Sequence, residues 1–499
     1  MLYTLFWGAF ALVLGYLLLQ AIYRLYWSPL ARFPGPRLAA ISFAYEFYFD
    51  VWNPGMFIWE IERLHQVYGP IVRINPLELH VNDIEFYDEI YASGSRQRDV
   101  YDFSRRGLDA PLALGGTVKH DIHRHRRDAL NPFFSKENVT KLEPLIQDKV
   151  NLLCDRISIV EQPIVLNNAF MALTVDIIGQ FAFGKNYGYL DRPDFGAQWR
   201  SDTMTILKNS KLLTHCYWLV VLMKILPESV VNLLAHPAVK DLLAYKKTIR
   251  AQVSNVLAEE PNESSKGHHR TLFHELRDSP HLPVQEKSVE RLAQEGQVLV
   301  LAGSETTAKT LSIIWYHLLD DPKRLQKART EIETLPVGAS WGELQRLPYL
   351  SAVVNEGLRL NFGITGRTQR VAPYEDLQYR QWKIPAGTPI SMMSLFMHTN
   401  KSVFPDPWAF LPERWLHLGH KELQKYLVAF GKGSRRCIAI NLAYAEIFLT
   451  LAATILRFNM ELFETDAKDV EFRHDFVVLH PQLDTKGVRV TVEDRNVRM

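Results

Sequence analysis

Phe430-Gly431-Lys432-Gly433-Ser434-Arg435-Arg436-Cys437-Ile438-Ala439-Ile440-Asn441 is the stretch on which the reading of this chain turns. It sets a cysteine behind a basic, glycine-bearing turn and in front of a run of good helix formers, among them Leu442, Ala443, Ala445, Leu449, Leu451 and Ala452. Cys437 is therefore expected near a helix N-terminus, whose dipole favours the thiolate, the form that ligates metals. Gly433 allows a tight bend and a close approach of backbone to a flat ligand, and Arg435 offers a fixed cation suited to a carboxylate. A buried, inert cysteine at a helix start is the commoner fate of a free thiol, and the stretch alone leaves both readings open.

Further stretches carry polar groups against an apolar or helical background. A helix expected over 288–319 would be about 48 Å long at ~1.5 Å per residue, enough to cross a large domain. Its centre, Ala302-Gly303-Ser304-Glu305-Thr306-Thr307, puts a glycine, an acid and two hydroxyls beside Val298, Leu299, Val300 and Leu301. That is costly unless the polar groups are used, the ordinary alternative being a helix bent by hydroxyls bonding back to the backbone. Glu356 and Arg359 lie three apart on one face of a helix starting near Pro348, a spacing common in surface ion pairs. His123-Arg124-His125-Arg126-Arg127 is the densest basic cluster, and a solvated face is the usual state of such a run.

Taken together these stretches resemble the cytochrome P450 family. Phe430, Gly433, Arg435 and Cys437 stand at the spacing of its heme-binding loop, F-x-x-G-x-R-x-C-x-G, with Ala439 in place of the last glycine. The resemblance runs from the N-terminal helix to about Val492 and implies a mainly α fold, a large helical domain with small β-sheets, holding heme b with Cys437 as axial thiolate. Such a thiolate pushes electron density into iron and favours O–O cleavage. The centre of the long helix is similar to the oxygen-activation motif A-G-x-D/E-T-T/S, which implies that Gly303 leaves room for dioxygen, Thr306 hydrogen-bonds a water or the oxygen, and Glu305 feeds protons. Glu356 and Arg359 match the E-x-x-R piece, and Phe410-Leu411-Pro412-Glu413-Arg414-Trp415 the P-E-R piece, implying a buried structural triad of Glu356, Arg359 and Arg414. By the same resemblance Arg127 holds a heme propionate, with His123 where the family has tryptophan, and Arg370, ahead of Val371-Ala372-Pro373, holds another. Phe430 would pack on the thiolate side, core packing being the equal alternative. Lys432, Arg435 and Arg436 would face the docking partner.

Residues 1–23 read as a membrane anchor: 2–23 carry no charge and span about 33 Å as a helix, against a bilayer core of ~30 Å. A cleaved signal would have a basic start and a shorter apolar core. Tyr23, Tyr26 and Trp27 suit the interface, and Arg24 and Arg32 on the C-terminal side put the body in the cytoplasm. Residues 24–36, ending in Phe33-Pro34-Gly35-Pro36, form a basic, proline-rich hinge like that of microsomal members of the family, and 37–499 the catalytic domain. An endoplasmic reticulum membrane protein with a single N-terminal span is expected. Three scattered cysteines exclude a disulfide framework, and a net charge of +2 argues against a nucleic-acid protein.

Between these landmarks, Ile71-Val72-Arg73-Ile74-Asn75-Pro76 and Leu77-Glu78-Leu79-His80-Val81 alternate around an Asn-Pro break and predict a hairpin. Helices are expected over 136–156, 169–183, 202–225 and 239–258, and β-rich patches over 378–384, 388–392, 476–479 and 487–492. Residues 259–269 read as a surface loop whose His268-His269 pair is more commonly solvated than metal-bound. The apolar run 216–225 is too short to span a membrane and is expected to act as a lid dipping into its surface. No flavin or nicotinamide fingerprint is present, so the resemblance implies a separate NADPH-cytochrome reductase, O2 and an apolar small molecule as partners. Segments such as Leu130-Asn131-Pro132-Phe133-Phe134-Ser135 are similar to filamentous-fungal members of secondary metabolism, including the trichodiene-oxygenase-like group, which suggests a terpenoid or polyketide substrate. The rival readings are a heme-thiolate synthase or isomerase without reductase, a non-catalytic heme sensor, and a membrane-tethered helical scaffold without heme.

Overall fold

Ser288 caps the helix around which the other elements pack: its side chain accepts from the Arg291 amide, and the helix runs Val289–Asp320. The computed structural model describes residues 2–94, 96–227, 229–231, 237–259, 271–280, 282–417 and 420–495. The longer helices are α1 Leu2–Ile22, α2 His120–Leu130, α3 Lys136–Ser158, α4 Leu166–Phe183 and α5 Ala197–His215. They continue as α6 Tyr217–Ile225, α7 Pro237–Ala258, α8 Val289–Asp320, α9 Pro348–Asn361 and α10 Ile440–Arg457. The expected His268-His269 pair lies outside the described residues.

α8 is buried along most of its length because α4, α7, α9 and α10 pack around it. α4 is apolar on nearly every side, as an enclosed helix must be. α9 comes close because Gly357 lacks a side chain; a Cβ there would lie 2.2 Å from Ile314 Cγ1. Across the α8–α10 contact the buried Trp315 donates its indole N–H to Thr454 Oγ1 at 3.2 Å.

The predicted hairpin forms, Ile71–Arg73 (β1) pairing antiparallel with Leu79–Val81 (β2). Distant segments complete its sheet: Asp99–Val100 (β3), Arg370–Val371 (β4) and Pro389–Ser391 (β5), in the order β1-β2-β5-β4-β3. Leu377–Tyr379 and Trp382–Ile384 pair separately. The patch expected over 476–479 is interrupted at Val477, which takes φ +73° and turns His474–Phe476 (β6) back on Val478–His480 (β7). The helix expected over 202–225 breaks at Cys216, with α6 held aside by the buried Asp109, which accepts from the Tyr217 hydroxyl at 3.0 Å and the Lys224 ammonium at 2.6 Å.

α1 stands clear of the packed body, none of the span Tyr3–Trp27 being buried. α10 is also long and apolar enough to cross a membrane but is mostly buried as a core helix. The hinge after α1 is docked: Phe33 is buried and stacks on Trp382 with centroids 5.0 Å apart, and the Arg73 amide donates to the Pro34 carbonyl at 2.7 Å. Prolines and packing together fix the direction in which the body leaves α1.

Candidate active site

The loop before α10 sets the sulfur. Gly433 takes φ +73°, and a Cβ on it would lie 2.2 Å from the Tyr91 carbonyl oxygen. Glycine is required there both by the tight left-handed turn that was expected and by the second backbone that crosses it. The Cys437 amide donates to the Phe430 carbonyl at 2.8 Å, and the Phe430 ring packs on Tyr444 of α10 at 5.3 Å between centroids. Burial pushes the Cys437 thiol up, while the Ala439 amide and the nearby Arg127 cation pull it back toward the thiolate. Ala439 sits at φ −90°, ψ 21°, open to any residue, so the departure from the family's glycine introduces no strain.

Cations converge beside this loop. Arg435 turns inward and donates to the Thr117 and Val118 carbonyls at 2.6 and 2.7 Å. It therefore leaves the docking face on which it was expected; there Arg436 is exposed and Lys432 pairs with Asp88 at 2.9 Å. Arg127 of α2 donates to the Arg436 carbonyl at 2.7 Å, and Arg370 of β4 donates to the Thr368 and Gln369 carbonyls at 3.1 and 3.0 Å. A further member, Arg105, escaped the sequence reading, because it lies in a short 3-10 helix, Asp102–Leu108, whose only signal is the doublet Arg105-Arg106. Burial, then the like charges of Arg370 and Arg105, push the Arg435 guanidinium down to about 9; burial and Arg370 push Arg105 to about 10. His123 is buried in the same field, where desolvation followed by Arg435, Arg127 and Arg370 holds it neutral, down to about 2. None of Arg105, Arg127, Arg370 and Arg435 meets a carboxylate among the described residues, and Nε of both Arg105 and Arg435 is buried without an acceptor.

On the α8 side the open face is made by Ala302, exposed, and Thr306, half-buried, four residues apart. The Thr306 hydroxyl donates to the Ala302 carbonyl at 2.8 Å, the back-bonding that is the ordinary use of such a hydroxyl. Gly303 turns elsewhere, a Cβ on it meeting Ile178 of α4 at 3.4 Å. Glu305 is buried and directed away from the open face, 3.3 Å from Lys309 Nζ. Lys309, itself buried, also donates to the Leu479 carbonyl of β7.

Glu356 and Arg359 are wholly buried and paired through both oxygens, Nη2 to Oε1 at 2.7 Å and Nε to Oε2 at 2.8 Å. Arg414 Nε donates to Glu356 Oε1 at 3.1 Å and the Trp415 indole to Oε2 at 2.9 Å, so the triad forms with a fourth member. His398, another residue the sequence did not single out, joins it to the sulfur loop. Its Nδ1 donates to the Arg359 carbonyl at 2.8 Å and its Nε2 accepts the Val428 amide at 2.8 Å, so the neutral tautomer is fixed. Desolvation, then the Arg359 charge, holds this ring down to about 3.

A half-buried cysteine at a helix start, converging arginines that form no ion pair among the described residues and two orphaned guanidinium nitrogens fit a flat metal-centred ring bearing carboxylates, as heme is. Comparison with known proteins agrees. The family model described as cytochrome P450 matches residues 46–486. The chain is 40% identical to the cytochrome P450 monooxygenase MO6277 of Ascocoryne sarcoides, over 96% of this chain and 98% of that one. It is 40% identical to the cytochrome P450 monooxygenase TRI4 of Trichoderma arundinaceum, over 94% and 91%, and 40% identical to the conidiogenone synthase PchP450 of Penicillium rubens, over 98% of both chains.

Proposed function

The chain belongs to the cytochrome P450 family, and from that premise we propose its reaction, its electron source and its cellular setting. It is a heme-thiolate oxidoreductase of the monooxygenase class, which uses dioxygen, a redox partner and an apolar substrate. The reaction inserts one oxygen atom of O2 into a lipophilic small molecule, a terpenoid or polyketide intermediate of fungal secondary metabolism, with NADPH electrons from a separate NADPH-cytochrome reductase. Similarity to monooxygenases and a conidiogenone synthase from filamentous fungi supports this. The setting is the endoplasmic reticulum membrane, with the body in the cytoplasm. Arg24 and Arg32 after α1 support that orientation. The exposed apolar face of α6, where Trp218 and Ile225 are 64% and 75% exposed, suits the membrane surface from which a lipophilic substrate enters.

The observation that carries the reading is the half-buried Cys437 beside a set of arginines that form no ion pair among the described residues. Cys437 would ligate the iron, and Arg105, Arg127, Arg370 and Arg435 would hold the propionates, with His123 as a neutral hydrogen-bonding neighbour. The heme, when bound, supplies dioxygen activation and oxygen-atom transfer. The chain supplies position and protons. Glu305 takes protons from the polar side of α8, where Lys309 holds it, and passes them to the Thr306 hydroxyl on the open face. Both side chains must turn for this, Glu305 away from Lys309 and the Thr306 hydroxyl away from the Ala302 carbonyl.

The test is reconstitution of the heme-loaded full chain with an NADPH-cytochrome reductase and candidate terpenoids and polyketides. A product one oxygen atom heavier, formed with NADPH consumption, is expected. A spectroscopically normal thiolate-ligated protein that converts substrate without NADPH sinks the monooxygenase reading in favour of an isomerase.

A further inference from the structure

Where α1 ends, the chain folds into a cavity of about 360 Å³ walled by Tyr26, Phe33, Pro34, Tyr68, Arg37 and Arg73. Its size falls within the ~300–1,000 Å³ of small-molecule sites. No acid lines it. Arg73 is 2% exposed; its terminal nitrogens donate to the Arg24, Pro76 and Ala40 carbonyls at 2.7, 2.8 and 3.4 Å, while its Nε is buried without an acceptor among the described residues. Burial and the like charge of Arg24 push Arg73 down to about 10, and among the described residues this cation of the cavity wall has carbonyl partners but no ion pair. Arg37 is exposed at the rim and has no ion pair among the described residues. Leu25 and Tyr26 of the wall lie within one turn of the last residue of α1, Ile22. A helix that crosses a bilayer therefore puts this cavity at headgroup depth, and the docked hinge keeps it there.

We propose that this cavity binds the phosphate of an anionic phospholipid headgroup, Arg73 and Arg37 supplying the charge and Tyr26 and Tyr68 the walls. The site rests on the reading of α1 as a membrane anchor. It lies on the opposite end of the chain from the sulfur loop and uses none of the groups proposed for the heme. A lipid held there would fix the tilt of the catalytic body over the membrane.

The test uses the heme-loaded full chain in nanodiscs of phosphatidylcholine, with and without phosphatidic acid, bound lipid being counted by native mass spectrometry. Selective retention of phosphatidic acid is expected, weakened by at least about fivefold in Arg37→Glu, as one surface cation near lipid warrants. Arg32→Glu, a charge reversal outside the cavity, should change retention much less. Equal losses in the two variants would show diffuse attraction and overturn the site. Displacement of the lipid by millimolar inorganic phosphate would assign the cavity to free phosphate and overturn the lipid. Failure of the wild-type chain to enter phosphatidylcholine nanodiscs would sink the anchor, and the proposal with it.

Discussion

At Arg105 and Arg435 guanidinium nitrogens are buried without acceptors, a state that ordinarily costs about 1–3 kcal/mol per group and is relieved when a carboxylate arrives. Arg105→Leu should therefore weaken heme affinity by about 10- to 100-fold, the worth of one charged hydrogen bond, while leaving the heme-free protein as stable or more so. Heme transfer to apomyoglobin reads the first and thermal unfolding of the heme-free protein the second. Unchanged heme retention would remove Arg105 from the site. Cys437→Ser should abolish both the carbon monoxide difference band of a thiolate-ligated heme and turnover, because a serine hydroxyl stays protonated where a thiol can ionise. A serine variant that still turns over would end the assignment of the ligand.

At the scale of the element, α9 and the sulfur loop are one mechanical unit. Removing either partner of the buried Glu356–Arg359 pair leaves an isolated charge worth roughly 3–5 kcal/mol. Glu356→Ala or Arg359→Ala is expected to give protein that fails to hold heme, checked by heme content after purification. His398 carries the connection from the Arg359 carbonyl to the Val428 amide and does so only as the neutral ring. Its proton affinity is depressed to about 3 in the folded state, so the unfolded chain takes up the proton first as the pH falls. The stability it lends is full above about pH 6.5 and is lost progressively below it, at no more than ~1.4 kcal/mol per pH unit. His398→Gln should lower stability near neutrality and flatten its pH dependence between about pH 6 and pH 4, which chemical unfolding at a series of pH values would record. An unchanged slope would show that His398 takes no part.

Over the whole molecule the two apolar surfaces proposed to meet the membrane, α1 and the outer face of α6, are separate in sequence. Deleting 1–27 removes α1 but leaves α6, whose Trp218 and Ile225 stay exposed. The truncated protein is expected to retain weak, reversible binding to vesicles, and Trp218→Asp with Ile225→Asp to abolish it in flotation assays without altering heme content. The same separation explains which features could be read before folding. The sulfur loop, the Ala302–Thr307 cluster, the Glu356–Arg359 pair and the apolar α1 are each carried by neighbours in the chain, and short-range spacing, periodicity and charge are properties of sequence alone. The partners of those groups are not. Arg105, the Tyr91 carbonyl that demands glycine at position 433, the His398 relay, and the sheet that brings Arg370 beside Val100 and Ile390 come from tens to hundreds of residues away. So does Asp109, which holds α6 beyond the break at Cys216, whereas the pairing of Glu305 with Lys309 four residues on is local and only its burial is set by the fold. What the chain determined by itself was the identity of its reactive groups and the helices that bear them. Which charges face one another, and which are left without a partner, was decided only when burial in three dimensions set the cost of each unpaired group.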